Sequence, residues 1–319
     1  QVKAYNDMDS RFKANNKFTR DLNAYAGQAK ADVAHVPGTN TFTHEPIFSG
    51  NGYKGKKLSY FLEAKVELID QAGEWHYQVE GGKHYVYLWH PEGGIPANDV
   101  NVRDIGYGFD LNNSEYLTIK GLDFFASTLK CNPCSNITIE DNLFKYSAAD
   151  RRVLKEWGSM DDGYGRNQYI ELTPKSSNMA TSGIIFRNNQ VLDSGVQSVI
   201  ISGGNSLVTN NEFIRIDWSG ADTTGPHSSV MMLKLSGEIS TLSYNTFDQI
   251  GNAAMFVPEG GSFRGLYNHM GKGGYAQNDG SSFQMRIEQQ DSVEMAYNWA
   301  HDSEKYGIRF DAPIDTSPA

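Results

Sequence analysis

The sequence predicts an all-β chain: a right-handed parallel β-helix, or solenoid, behind an N-terminal capping region that contains a β-hairpin. Three observations predict it. An apolar residue is followed three positions later by asparagine in five places, Ile139/Asn142, Phe186/Asn189, Val208/Asn211, Leu242/Asn245 and Met295/Asn298. A sixth copy, Gly265/Asn268, has glycine at the apolar position. A short strand-like segment follows each copy, and extra residues enter at one corner of the repeat.

The asparagine steps are 47, 22, 34, 23 and 30 residues. A minimum near 22 with ragged excess above it describes one structural coil plus insertions. A coil this short cannot bury its own apolar face, so it must stack on its neighbours. Stacking puts one side chain per turn in a column. Asparagine suits a bend in that column, because it tolerates unusual backbone angles and its amide both donates and accepts. Two residues past each asparagine stand Phe144, Val191, Phe213, Phe247, Met270 and Ala300. The hand follows from the right-handed preference of parallel crossovers.

The strands after these turns are read at Tyr169–Thr173, Ser198–Ser202, Val230–Lys234, Ala253–Val257, Phe283–Ile287 and Gly307–Asp311. Each is short and bounded by Gly, Ser, Asn or Pro. Alternation assigns faces. Ile170 and Leu172 point in and Glu171 and Thr173 out. Phe283, Met285 and Ile287 point in, and Gln284, Arg286 and Glu288 out. Ile308 and Phe310 point in, and Arg309 and Asp311 out.

The region 1–100 reads differently. Its first 60 or so residues are polar and weakly periodic, which suits a segment that wraps or caps the coils. A hairpin follows, with GEWHYQVE and KHYVYLWH flanking Gly81-Gly82, the kind of pair a tight turn prefers. The coils occupy 101–319. No closing strand is legible after GIRFD, so either a partner chain covers that end or the natural protein continues beyond it.

From about Tyr107 to Asp311 the chain resembles the pectate-lyase-like superfamily of right-handed parallel β-helices, which includes pectate lyases, alginate lyases and chondroitinase B. The asparagine ladder, the strand spacing and the phrases SEYLTIKGLDFF, NITIEDNLF and HDSEKYGIRFD carry the resemblance. It implies a carbohydrate-active protein, and most directly a polysaccharide lyase. A solenoid hosts several activities, so the site must decide.

Composition narrows the partners. The chain has 319 residues, 28 Lys and Arg against 38 Asp and Glu, and a formal charge of -10. Such a balance argues against a nucleic-acid or anionic-membrane binder. No apolar run approaches the ~18 residues of a membrane helix. No leader is legible at QVKAYNDMD, as in a mature secreted or periplasmic chain or a cytosolic one without its initiator Met. The secreted reading is preferred. Cys131 and Cys134, in CNPC, lack a second pair and read as a loop staple or two thiols rather than a zinc site.

The distance from asparagine to the next strand points to a site. It is 27 residues from Asn142 to Tyr169, 19 from Asn211 to Val230 and 15 from Asn268 to Phe283. It is 9 from Asn189 to Ser198 and from Asn298 to Gly307. The long loops Ser147–Gln168, Asp217–Ser229 and Gly271–Ser282 therefore line one wall. Trp218 and Tyr275 in them suit stacking on sugar rings. The outer face of the strand stack, with Glu171, Lys234, Gln284, Arg286, Glu288, Arg309 and Asp311, mixes cations and carboxylates as an acidic sugar chain requires. His301 is read in the turn before the last strand.

In the lyases that the chain resembles, Lys and Arg serve as bases that remove the proton α to a uronate carboxylate, and a cation or metal holds the developing charge. By position Lys234 or His227 becomes the base and Arg286 or Arg309 the stabiliser. Calcium is open as a cofactor, through Glu171, Glu288, Asp311 and neighbouring Asn. Two other readings stay open. One is a glycoside hydrolase using paired carboxylates, with Asp161/Asp162 or Asp302/Asp311 available. The other is a non-catalytic glycan-binding or adhesive solenoid.

Overall fold

The structure is a computed structural model. It describes residues 33–35, 42–44, 66, 69–96, 100–101, 106–148, 169–175, 182–195, 198–217, 229–234, 237–251, 254–274, 281–285, 290–303 and 306–310. The chain divides into two compact units. One holds Gln1–Val102 with Arg151–Arg166, and the other Arg103–Asp150 with Asn167–Ala319.

In the smaller unit β1 (Val33–His35) pairs antiparallel with β2 (Phe42–His44), and β3 (Trp75–Glu80) with β4 (Lys83–Leu88). The β3–β4 turn is Gly81-Gly82, both at positive φ, where glycine carries no Cβ penalty.

The larger unit is all-β and consists of three long parallel sheets. Sheet I holds β5 (Tyr107–Asp110), β8 (Thr128–Cys131), β11 (Ile170–Leu172), β14 (Val199–Ser202), β17 (Ser229–Lys234), β20 (Ala254–Glu259), β23 (Ser281–Met285) and β26 (Tyr306–Phe310). Sheet II holds β6 (Glu115–Lys120), β9 (Ser135–Glu140), β12 (Ile185–Arg187), β15 (Leu207–Thr209), β18 (Ser240–Ser243), β21 (Gly261–Leu266) and β24 (Gln290–Ala296). Sheet III holds β7 (Asp123–Phe125), β10 (Leu143–Lys145), β13 (Gln190–Leu192), β16 (Glu212–Ile216), β19 (Thr246–Ile250), β22 (His269–Gly273) and β25 (Trp299–Ser303). The chain visits sheets I, II and III in turn, and each circuit pairs with the one before. This arrangement is consistent with a parallel β-helix. All six segments read as strands after the asparagine turns fall in sheet I.

The asparagines form one buried column between sheets II and III. Side-chain amides run Asn142 to Asn189 (3.1 Å), to Asn211 (3.1 Å), to Asn245 (2.9 Å), to Asn268 (3.0 Å) and to Asn298 (2.9 Å). The second N–H of each amide donates to a carbonyl of the preceding circuit, as Asn211 Nδ2 does to Phe186 O at 2.9 Å. Each Oδ1 also accepts a backbone N–H, as Asn211 Oδ1 does from Asn189 at 2.9 Å. A buried amide with every hydrogen-bonding group used has no desolvation debt. The residue before each asparagine, Asp141, Asn188, Asn210, Tyr244, Tyr267 or Tyr297, is left-handed, with φ between 55° and 58°. That bend turns the chain from sheet II to sheet III.

Aromatic rings fill the interior. Phe124 and Phe144 of sheet III stack at 4.5 Å, and Phe213 and Phe247 at 4.8 Å. Val191 interrupts this column, and Phe186 from sheet II fills the gap, 6.4 Å from both Phe144 and Phe213. Gly265 fails the apolar pattern for a steric reason. A Cβ there would lie 2.7 Å from the Phe283 ring. The ring occupies the space that an apolar side chain fills in other circuits.

Cys131 and Cys134 are disulfide-bonded, with Cα atoms 5.4 Å apart, which selects the loop staple over free thiols. No helix among the described residues is long and apolar enough to cross a membrane.

Candidate functional site

Register along sheet I pairs several of the residues read as its outer face. Lys130 pairs with Glu171, Glu171 with Ile200 and Ile200 with Met232. Farther along, Gln284 pairs with Arg309. Two residues on, Ser202 pairs with Lys234 and Lys234 with Glu259. Glu171 accepts a hydrogen bond from Asn132 Nδ2 at 2.7 Å, and Thr173 Oγ1 lies 3.3 Å from Ser202 Oγ. The Arg309 guanidinium sits over the Tyr306 ring, 5.8 Å from its centroid, a cation–π contact.

Two expectations need correction. Gln284 is fully buried rather than solvent-facing, and Ile200 in the same outward row is 6% exposed. Alternation gives the direction of a side chain, and exposure also depends on what lies over the sheet. His301 is inside β25 on sheet III, not in a turn beside sheet I. Ile308 and Phe310 pair with Phe283 and Met285 and so share their inward face, yet they are 50% and 72% exposed. In the register Arg309 pairs with Gln284. Arg286, His227, Glu288, Asp311, Trp218 and Tyr275 lie outside the described residues, as do Asp161 and Asp162. Lys234 is described by its backbone alone.

The long insertions all connect sheet III to sheet I, from β10 to β11, β16 to β17 and β22 to β23. The third starts later than expected, because Gly271 belongs to β22.

Sheet II shows what a self-neutralised face looks like. Lys120 Nζ lies 3.0 Å from Glu140 Oε1 and 3.1 Å from Asp141 Oδ2, and Arg187 also grips Glu140. The hydrogen bond from Lys120, then that from Arg187, holds the Glu140 carboxyl below the usual carboxylate range. Hydrogen bonds from Lys120 and Asn188 lower Asp141 likewise. The same two carboxylates, Glu140 first, raise the Lys120 ammonium.

Sheet III carries a cluster that the sequence reading did not assemble. His269 Nε2 and His301 Nε2 are 2.8 Å apart. His301 Nδ1 donates to Asp302 Oδ2 at 2.9 Å. The Trp299 ring lies 4.3 Å from His301 and 5.0 Å from His269, and is 64% exposed. A signal for it was present. His269 and Trp299 each follow a ladder asparagine by one residue, and Gly271 and His301 follow by three, so register aligns them on adjacent strands. Farther round the bend Tyr244, Tyr267 and Tyr297 stack at 5.0 and 4.7 Å on the surface.

Among the described residues, no group of three or more His, Cys, Asp or Glu side chains is arranged to hold a metal ion. No protein-family model, curated protein or solved structure matches the chain.

Proposed function

We propose that the larger unit is a right-handed parallel β-helix of the pectate-lyase-like kind, and that it binds an acidic polysaccharide along sheet I and cleaves it by β-elimination. The supporting observation is the register of sheet I, in which Lys130 pairs with Glu171, Lys234 with Glu259 and Gln284 with Arg309. Cations interleaved with carboxylates suit a chain of uronates or sulfated sugars. The disulfide supports a secreted or periplasmic setting.

In this reading Lys234 takes the proton on the carbon α to the uronate carboxylate. The bond pair becomes a carbon–carbon double bond, and the β-oxygen leaves as the protonated Lys234 gives that proton to it, which restores the neutral amine. Arg309 cannot hold the same carboxylate. It lies three strands from Lys234, about 14 Å at ~4.8 Å per strand. It serves instead as an anchor for another sugar along the groove, and Arg286 keeps the stabilising role.

The test is turnover of pectate, alginate and chondroitin-type glycans, read as absorbance of the unsaturated uronate. Lys234→Ala should cut kcat by about 10²-fold or more. Arg309→Ala should raise KM and leave kcat near the parent value. Full turnover in Lys234→Ala, or products without an unsaturated end, sinks the proposal. The exposed Tyr244–Tyr267–Tyr297 stack favours the second reading, a non-catalytic glycan binder, which binding without product would support.

A further inference from the structure

Two imidazoles that meet nitrogen to nitrogen can share a proton or a metal ion, and sheet III holds such a pair. His301 and His269 sit on adjacent strands, displaced by two residues in register. His301 reaches His269 by leaning over Gly271. A Cβ on that glycine would lie 2.9 Å from His301 Cε1 and 3.0 Å from its Nε2. The rings are inclined by 22° with centroids 5.0 Å apart. The 2.8 Å nitrogen contact plus two ring radii accounts for that separation, so the rings meet edge to edge with their Nε2 atoms pointing at one another.

Asp302 sets the tautomer. With its Nδ1–H donated to Asp302, a neutral His301 leaves Nε2 as an acceptor. In the free protein His269 then donates through its own Nε2–H. A carboxylate behind the distal nitrogen is the outer-shell arrangement that orients metal-binding histidines.

We propose that His269 and His301 form a two-histidine clamp for a divalent transition-metal ion, with Cu2+ bound most tightly. Both nitrogens coordinate once His269 shifts its proton from Nε2 to Nδ1, so a neutral pair releases no net proton. On a square-planar Cu2+ two neighbouring nitrogens at about 2.0–2.1 Å stand roughly 2.9 Å apart, so the pair keeps its spacing and the two rings turn until both nitrogens point at the ion. Water completes the coordination. Asp248, whose Oδ1 lies 3.3 Å from the same Gly271 Cβ position, stands beside the clamp to accept from that water. Imidazole ligands favour Cu2+ over Ni2+ and Zn2+, and exclude Ca2+ and Mg2+, which want oxygen. The proposal is independent of the glycan reading.

The experiment titrates the whole chain with Cu2+ alone, then Ni2+, Zn2+ and Ca2+, by calorimetry and electron paramagnetic resonance in buffer without chelators. The parent should show one strongest Cu2+ site with coupling to two nitrogens. His269→Ala and His301→Ala should each abolish it. Asp302→Asn should weaken it about 10–100-fold. Gly271→Ala keeps both histidines but displaces the His301 ring, and should weaken it as well. In the unaltered protein, Cu2+ should broaden the His269 and His301 imidazole resonances first, a readout that needs no variant to fold. Binding that survives both histidine substitutions, single-nitrogen coupling, or broadening that begins at other histidines would overturn the clamp.

Discussion

Phe283 and Ile308 are paired residues on neighbouring strands of one sheet, facing the same way, yet one is fully buried and the other is 50% exposed. Met285 and Phe310 repeat the contrast at 3% and 72%. The middle circuits have a circuit on either side. In the last described circuit, the inward-facing Ile308 and Phe310 stay exposed. Burial in a stacked chain is thus conferred by neighbours. The residue contributes only its direction.

The largest expected difference follows from this. Phe213→Ala removes a ring that Phe186 and Phe247 sandwich, and should cost about 3–5 kcal/mol of unfolding free energy. Phe310→Ala should stay within about 0.5 kcal/mol. Equal costs in urea unfolding would show that Phe310 is packed in solution.

Next comes the ladder. Asn211→Ala strips a donor from Phe186 O and Asn245 Oδ1, and an acceptor from Asn189. Each buried group so stranded costs about 1–3 kcal/mol. Asn298→Ala should cost less, because Asn298 sits at the half-buried end of the column. A larger loss for Asn298 would reverse the ordering.

The smallest effect is electrostatic and depends on pH. Glu140, 9% exposed in its side chain, is gripped by Lys120 and Arg187, whereas Glu294, 54% exposed, meets Arg264 alone at 3.0 Å. The Glu140 carboxyl is held below its usual range, so its stabilisation is present above the unfolded pKa and lost as pH falls through the lowered folded one. Glu140→Gln should therefore destabilise at neutral pH, with a deficit that shrinks on acidification. Glu294→Gln should be nearly neutral throughout. A pH-independent deficit at Glu140 would mean that packing, not charge, is what the substitution removes.

The chain by itself determined the strands of sheet I, the asparagine column and the corner of the insertions. Each rests on a local rule: period-two alternation, an asparagine just after a left-handed residue at a bend, and a repeat length with excess. Only the tertiary structure decided what a residue meets across circuits. Gly265 breaks its repeat because Phe283, 18 residues on, fills its space. Gln284 is buried although alternation turns it outward. His301 lies on sheet III rather than beside sheet I, and there Gly271 lets it reach His269. These contacts join residues far apart in the chain, whose proximity depends on register between strands. A one-residue shift in that register moves a side chain to the other face.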